Sequence, residues 1–136
     1  MMETATALTL HLMDAIGLYM LATGAGALLA PERWQRLGEE MEASAGLTIL
    51  MGIVTFAIGV AMLGVHHGLH DPLAIVVTAV AAIAVVEGML ILAVPRVMIG
   101  IGAPFFARPR AWAAFIVLLG LVFLAVGLTG RAGPAL

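Results

Sequence analysis

The chain has 136 residues, of which 63% are hydrophobic and only 10% charged, with a mean hydropathy of +1.17; soluble globular domains are far more polar. Six arginines and no lysine stand against eight acids, for a net charge of -2, so there is no basic surface for nucleic acid. Cysteine is absent, which excludes disulfides and thiolate nucleophiles and leaves histidine and carboxylate as the plausible metal ligands.

The opening stretch, MMETATALTLHLMD, has neither the positive start nor the small-residue cleavage site of a secretory signal, so the first apolar segment is expected to be retained. Four apolar runs, at about 8–30, 47–67, 73–94 and 111–129, are each long enough to cross a bilayer as a helix, which takes about 20 residues. The predicted class is all-α: a polytopic membrane protein, an antiparallel bundle of four transmembrane helices in one membrane domain. Its two helical hairpins would cover about 8–67 and 73–129. Pro31 and Pro95 are read as the ends of the first and third spans, because a proline ring cannot donate to the helical ladder.

Between the first two spans, PERWQRLGEEMEAS puts Trp34, Leu37 and Met41 on one helical face and offers Glu32–Arg36 and Arg36–Glu40 pairs at i,i+4 spacing. A short interfacial helix is predicted there. Between the last two spans, PRVMIGIGAPFFARPRAW is interrupted by Gly100, Gly102, Pro104 and Pro109 and is predicted to be a membrane-hugging loop, with a re-entrant turn as the variant form.

Arg33, Arg36, Arg96, Arg108 and Arg110 fall in these two loops, and Arg131 falls on the other side. The positive-inside bias makes the loop side cytoplasmic and both termini extracytoplasmic, with Trp34 and Trp112 as belt residues at the cytoplasmic boundary. Small residues recur in rows, Ala22/Gly26/Ala30, Gly64/Gly68 and Ala74/Thr78/Ala82, at the spacing that permits close helix approach.

Aligning Pro31 with Pro95 matches ATGAGALLAPERW to VEGMLILAVPRVM. Each half then runs through a loop into a Gly-rich span, with a gap of a few residues. The chain reads as two tandem units in the same orientation. The third span carries E-G-x6-P, from Glu87 and Gly88 to Pro95. On this motif the chain resembles the YjeT-like family, short bacterial inner-membrane proteins with two helices, a basic loop and a Gly-rich second helix, of unassigned activity. The resemblance covers about residues 80–128, and more faintly 16–64, where Thr23 replaces the glutamate. It implies a fold and a bacterial inner-membrane setting, and no reaction.

Glu87 lies within an apolar span, where a carboxylate costs about 2.5 to 3.5 kcal/mol on insertion scales. It is expected to face the bundle interior. It would serve either as a proton- or ion-coupling group or as a protonated donor to a carbonyl or to the hydroxyl of Thr23, Thr55 or Thr78. Asp14, one turn from His11, is the second intramembrane acid. His11, His66, His67 and His70 all reach the extracytoplasmic side in this topology. The i,i+3 and i,i+4 spacings of HHGLHD, if helical, would offer ligands to zinc, copper or heme. No nucleophile–base set, phosphate-cradling loop or dinucleotide fingerprint occurs, so no enzymatic activity is expected. Two function classes follow. One is an accessory, stabilising or interaction subunit, bound to the bilayer and to other membrane subunits or itself. The other is a small dimeric proton- or ion-coupled transporter or channel using Glu87.

Overall fold

The computed structural model describes the backbone of residues 2–130 and the side chains of residues 7–130. Arg131, placed above on the extracytoplasmic side, lies outside them. The described chain is helical except at its corners and in the 66–71 connection: α1 (Met2–Leu29), α2 (Pro31–Ala43), α3 (Ala45–Val65), α4 (Pro72–Ala93), α5 (Pro95–Ala107) and α6 (Pro109–Thr129). Four of these carry segments long and apolar enough to cross a membrane, Ala7–Leu29, Ala45–Val65, Pro72–Ala93 and Pro109–Thr129. They coincide with the four predicted spans.

Proline acts here chiefly as a starter. Pro31, Pro72, Pro95 and Pro109 each open a helix, at the position where a missing N–H costs nothing because that donor has no intrahelical partner. Single residues turn the corners. Ala30 (φ -141°, ψ 68°) separates α1 from α2, and Val94 (φ -137°, ψ 60°) separates α4 from α5. Ser44 closes α2 and caps α3, accepting from Leu47 N–H at 3.1 Å, and Asp71 caps α4 by accepting from Ala74 N–H at 2.9 Å.

This corrects the expectation for residues 95–108. They form a continuous 13-residue helix, α5, instead of a broken loop or re-entrant turn. Pro95 and Pro109 are both at first positions, and no described glycine takes a positive φ, so Gly100 and Gly102 stay helical. Pro104 is the one interior proline of α5. Amphipathic α2 is a helix as predicted, but neither Glu32–Arg36 nor Arg36–Glu40 closes to an ion pair. Among the described residues the recorded salt bridge is His70–Asp71.

The helices pair differently from the expected hairpins. α1 packs along α6 and α3 along α4; α1 and α4 touch less, α2 meets α5, and α3 and α6 are not packed together. The two hairpins therefore interlock, since each span's main partner belongs to the other predicted unit.

Glycine explains the pairing, although not the rows predicted from sequence. Gly64 has nothing within 4 Å of where a Cβ would stand. The seams instead use seven-residue steps, Gly17/Gly24 on α1, Gly52/Gly59 on α3, Ala81/Gly88 on α4 and Gly120/Gly127 on α6, all buried. A seven-residue step keeps one face of a helix turned to its neighbour when the pair supercoils. On the α3–α4 seam, a Cβ on Gly59 would lie 3.0 Å from Ala81 O and 2.6 Å from Val85 N. On the α1–α6 seam, a Cβ on Gly120 would lie 3.0 Å from Gly17 O and 3.1 Å from Leu21 N. Ala81 and Val85 follow Gly17 and Leu21 by the interval that separates Pro31 from Pro95.

Candidate functional site

A cluster of bonded polar groups lies at the end of the spans away from α2 and α5. His66 is the C-cap of α3, with φ -146° and ψ 109°, and is 4% exposed. Its Nε2 lies 2.7 Å from the Thr9 hydroxyl of α1, and its Nδ1 lies 3.1 Å from the Thr78 hydroxyl of α4. Thr78 donates to the Gly68 carbonyl at 2.8 Å. The Thr78 oxygen is thereby left to accept from Nδ1–H, and the one imidazole joins three helices and the α3–α4 connection. Thr9, 1% exposed, is among the most deeply buried side chains described.

The other histidines do not join this site. The helical spacing that would have brought His66, His67 and His70 onto one face does not apply, because α3 ends at Val65. His67 is exposed and its Nδ1–H donates to the Leu63 carbonyl at 3.1 Å. His70 is exposed and meets Asp71 at 3.1 Å. His11 is exposed on α1. Among the described residues no three His, Asp or Glu side chains are grouped as a metal ion would require. The three-histidine face expected from a helical HHGLHD is not assembled.

Asp14 faces α6. Its Oδ1 is buried with no hydrogen-bond partner among the described residues, and it occupies the space that Gly127 leaves open, so that a Cβ on Gly127 would collide with the carboxylate and stand 3.0 Å from Asp14 N. Asp14 packs on α6 while His66 bonds to Thr9 and Thr78, and the structure does not combine the two.

Glu87 departs most from expectation. It is exposed on α4, flanked along the helix by Ile83 at 63% and Leu90 at 39% exposure. No described side chain bonds to it, and Thr78 is already held by His66 and Gly68. Thr23 is half-buried on α1 and likewise makes no hydrogen bond to it. The reason is helical phase: Gly88, the next residue, is the one pressed on α3, where its Cβ would meet Phe56 N at 2.5 Å. A neighbour rotated by about 100° from that seam points outward.

The opposite end is aromatic and basic. Trp34 of α2 meets Phe105 of α5 edge-on at 6.3 Å, Phe105 meets Trp112 of α6 at 6.0 Å, and Trp112 meets Phe115 at 6.2 Å. The rings tie α2, α5 and α6 together. Arg33, Arg36, Arg108 and Arg110 are exposed around them, and Arg96 is in the first turn of α5. Trp34 and Trp112 thus stand together with the arginines, whereas Phe105 was not singled out from sequence because its stretch was read as loop. Thr9 was missed as well: a lone hydroxyl in TLTLH carries no signal until a distant histidine closes on it.

No family model, curated protein or solved structure matches the chain.

Proposed function

We propose that the protein is a non-enzymatic subunit of a membrane assembly, an accessory or stabilising component that docks on another membrane protein through the outward face of α4. The observation that carries this reading is the uncovered Glu87. It sits about 12 Å along α4 from Pro95, inside an apolar span, and its own fold gives it no partner. Lipid satisfies Ile83 and Leu90 but not a carboxyl group, and intramembrane acids in proteins are met by another polar group. A partner helix supplying a donor at that depth would do so.

The likeness to the YjeT-like family accords with a bacterial inner-membrane setting, and the excess of arginine around α2 and α5 accords with a cytoplasmic position for that end. The matched seams accord with a tandem repeat of two three-helix units, α1–α3 and α4–α6: Gly59 with Ala81/Val85 and Gly120 with Gly17/Leu21. So do the near-equal corner angles of Ala30 and Val94. The dimeric transporter reading needs Glu87 to line a path, which from its outward position would run between two copies of the chain.

The test is photo-crosslinking in the native membrane. A crosslinker at position 83 or 90 should give one adduct of defined mass that disappears with Glu87→Leu, while position 118, on exposed α6, should give none. Lipid adducts alone at all three positions would refute the reading.

A further inference from the structure

A second site, unrelated to α4, lies where α2 and α6 begin. An open, shallow cavity of about 420 Å³ is lined by Pro31, Gln35, Arg108, Pro109, Arg110 and Ala111. Four of its features bear on what it would hold. First, Arg108 and Arg110 are exposed, and among the described residues neither has an acid within ion-pair distance. Glu32, in the first turn of α2, makes no ion pair with either. Two free guanidiniums on one cavity present paired donors in the planar fork that suits phosphate oxygens. Second, Gln35 adds an uncharged amide, so the lining contains no anion that would compete for the arginines.

Third, the cavity is at the end of an apolar span, Pro109–Thr129, and the two tryptophans of the chain adjoin lining residues in sequence, Trp34 before Gln35 and Trp112 after Ala111; tryptophan is the residue type that settles at headgroup depth. Fourth, the end of α1, which leads through Ala30 into the lining residue Pro31, exposes Leu28 at 41% and Leu29 at 85%, apolar surface along which acyl chains can lie. The α6 start, which has no side-chain cap, adds a further preference for negative charge.

We infer that this cavity binds the phosphate headgroup of an anionic phospholipid, held by Arg108 and Arg110, with its acyl chains against the end of α1. Basic pockets between transmembrane helices hold such headgroups. A free phosphate ion shares the headgroup chemistry but gains nothing from the leucines.

The experiment uses the full chain in phosphatidylcholine vesicles and reads quenching of Trp34 and Trp112 by brominated phospholipids. Brominated phosphatidylglycerol should quench more strongly than brominated phosphatidylcholine at equal mole fraction. In Arg108→Gln/Arg110→Gln the preference should fall about thirtyfold, the combined effect of two cations near an anionic surface. Arg108→Lys/Arg110→Lys, which keeps the charge but not the planar fork, should lose part of the preference, and less of it than the glutamine variant loses. If the double glutamine chain fails to insert, each single variant should lose about fivefold. Equal quenching by the two lipids in the unaltered protein, or a preference unchanged in the glutamine variants, would overturn the site. Abolition of the preference by inorganic phosphate would overturn the lipid assignment, and persistence of the preference in phosphate buffer supports it.

Discussion

Thr78 accepts from the ring of His66 at 3.1 Å and donates its own hydroxyl hydrogen bond to the Gly68 carbonyl at 2.8 Å. The chain of bonds continues through the other ring nitrogen to Thr9, 2.7 Å away, so that α1, α3 and α4 share one buried imidazole. Hydroxyls suit both its nitrogens, because each can donate or accept.

Thr78→Val should therefore cost more than an isosteric change on a helix surface. It leaves Nδ1–H and the part-buried Gly68 carbonyl without this partner, at up to about 1 to 3 kcal/mol for each unmet group. His66→Ala should be at least as damaging, since it also leaves a cavity. Thermal unfolding in detergent should fall for both variants, and His67→Ala, at an exposed ring, should not move it.

The glycine seams predict a graded series. Gly88→Ala would place a methyl 2.5 Å from Phe56 N, and Gly59→Ala one 2.6 Å from Val85 N. Backbone cannot yield as a side chain can, so each should destabilise by about 1 to 3 kcal/mol and part α3 from α4. Gly64→Ala, with nothing within 4 Å, should be neutral or favourable by up to about 1 kcal/mol. Disulfide trapping between cysteines introduced on α3 and α4, read beside the unfolding temperature, separates loss of the seam from general instability.

Asp14 and Gly127 make a size-exchange pair. Gly127→Ala alone should destabilise because the methyl occupies the carboxylate's place. Asp14→Ala should make Gly127→Ala tolerable, so the double variant should be more stable than Gly127→Ala alone. A coupling energy of about 0.5 to 3 kcal/mol in the double-mutant cycle is the expected size for side chains in contact; additive effects would mean that the two do not touch.

Glu87→Leu should leave the unfolding temperature of the isolated protein unchanged, within about 0.5 kcal/mol, as surface changes do. An interior carboxyl bonded to a threonine would instead give a clear loss. The same variant should insert more readily, by about 2.5 to 3.5 kcal/mol on translocon scales, which a glycosylation-based insertion assay can read.

The spans were legible because composition alone decides them: a run of about 20 apolar residues has one stable solution in lipid, a helix with all its backbone bonds satisfied within itself. The amphipathic α2 was legible from the phase of Trp34, Leu37 and Met41. The α5 helix was not, because a proline at the first helical position and a proline that breaks a helix look the same in sequence. What tells them apart is whether residues on either side turn a corner, as Val94 and Arg108 do.

Sequence by itself thus determined that this is a helical membrane protein, where its four spans run, and which polar residues interrupt them. Only the tertiary structure decided which of those residues meet. The pairing of α1 with α6 and α3 with α4 sets the phase of every helix, and phase turned Glu87 outward, Asp14 onto Gly127 and His66 between two threonines. Apolar spans carry almost no rotational preference of their own, since lipid and neighbour are equally apolar; the close-packed glycines supply it.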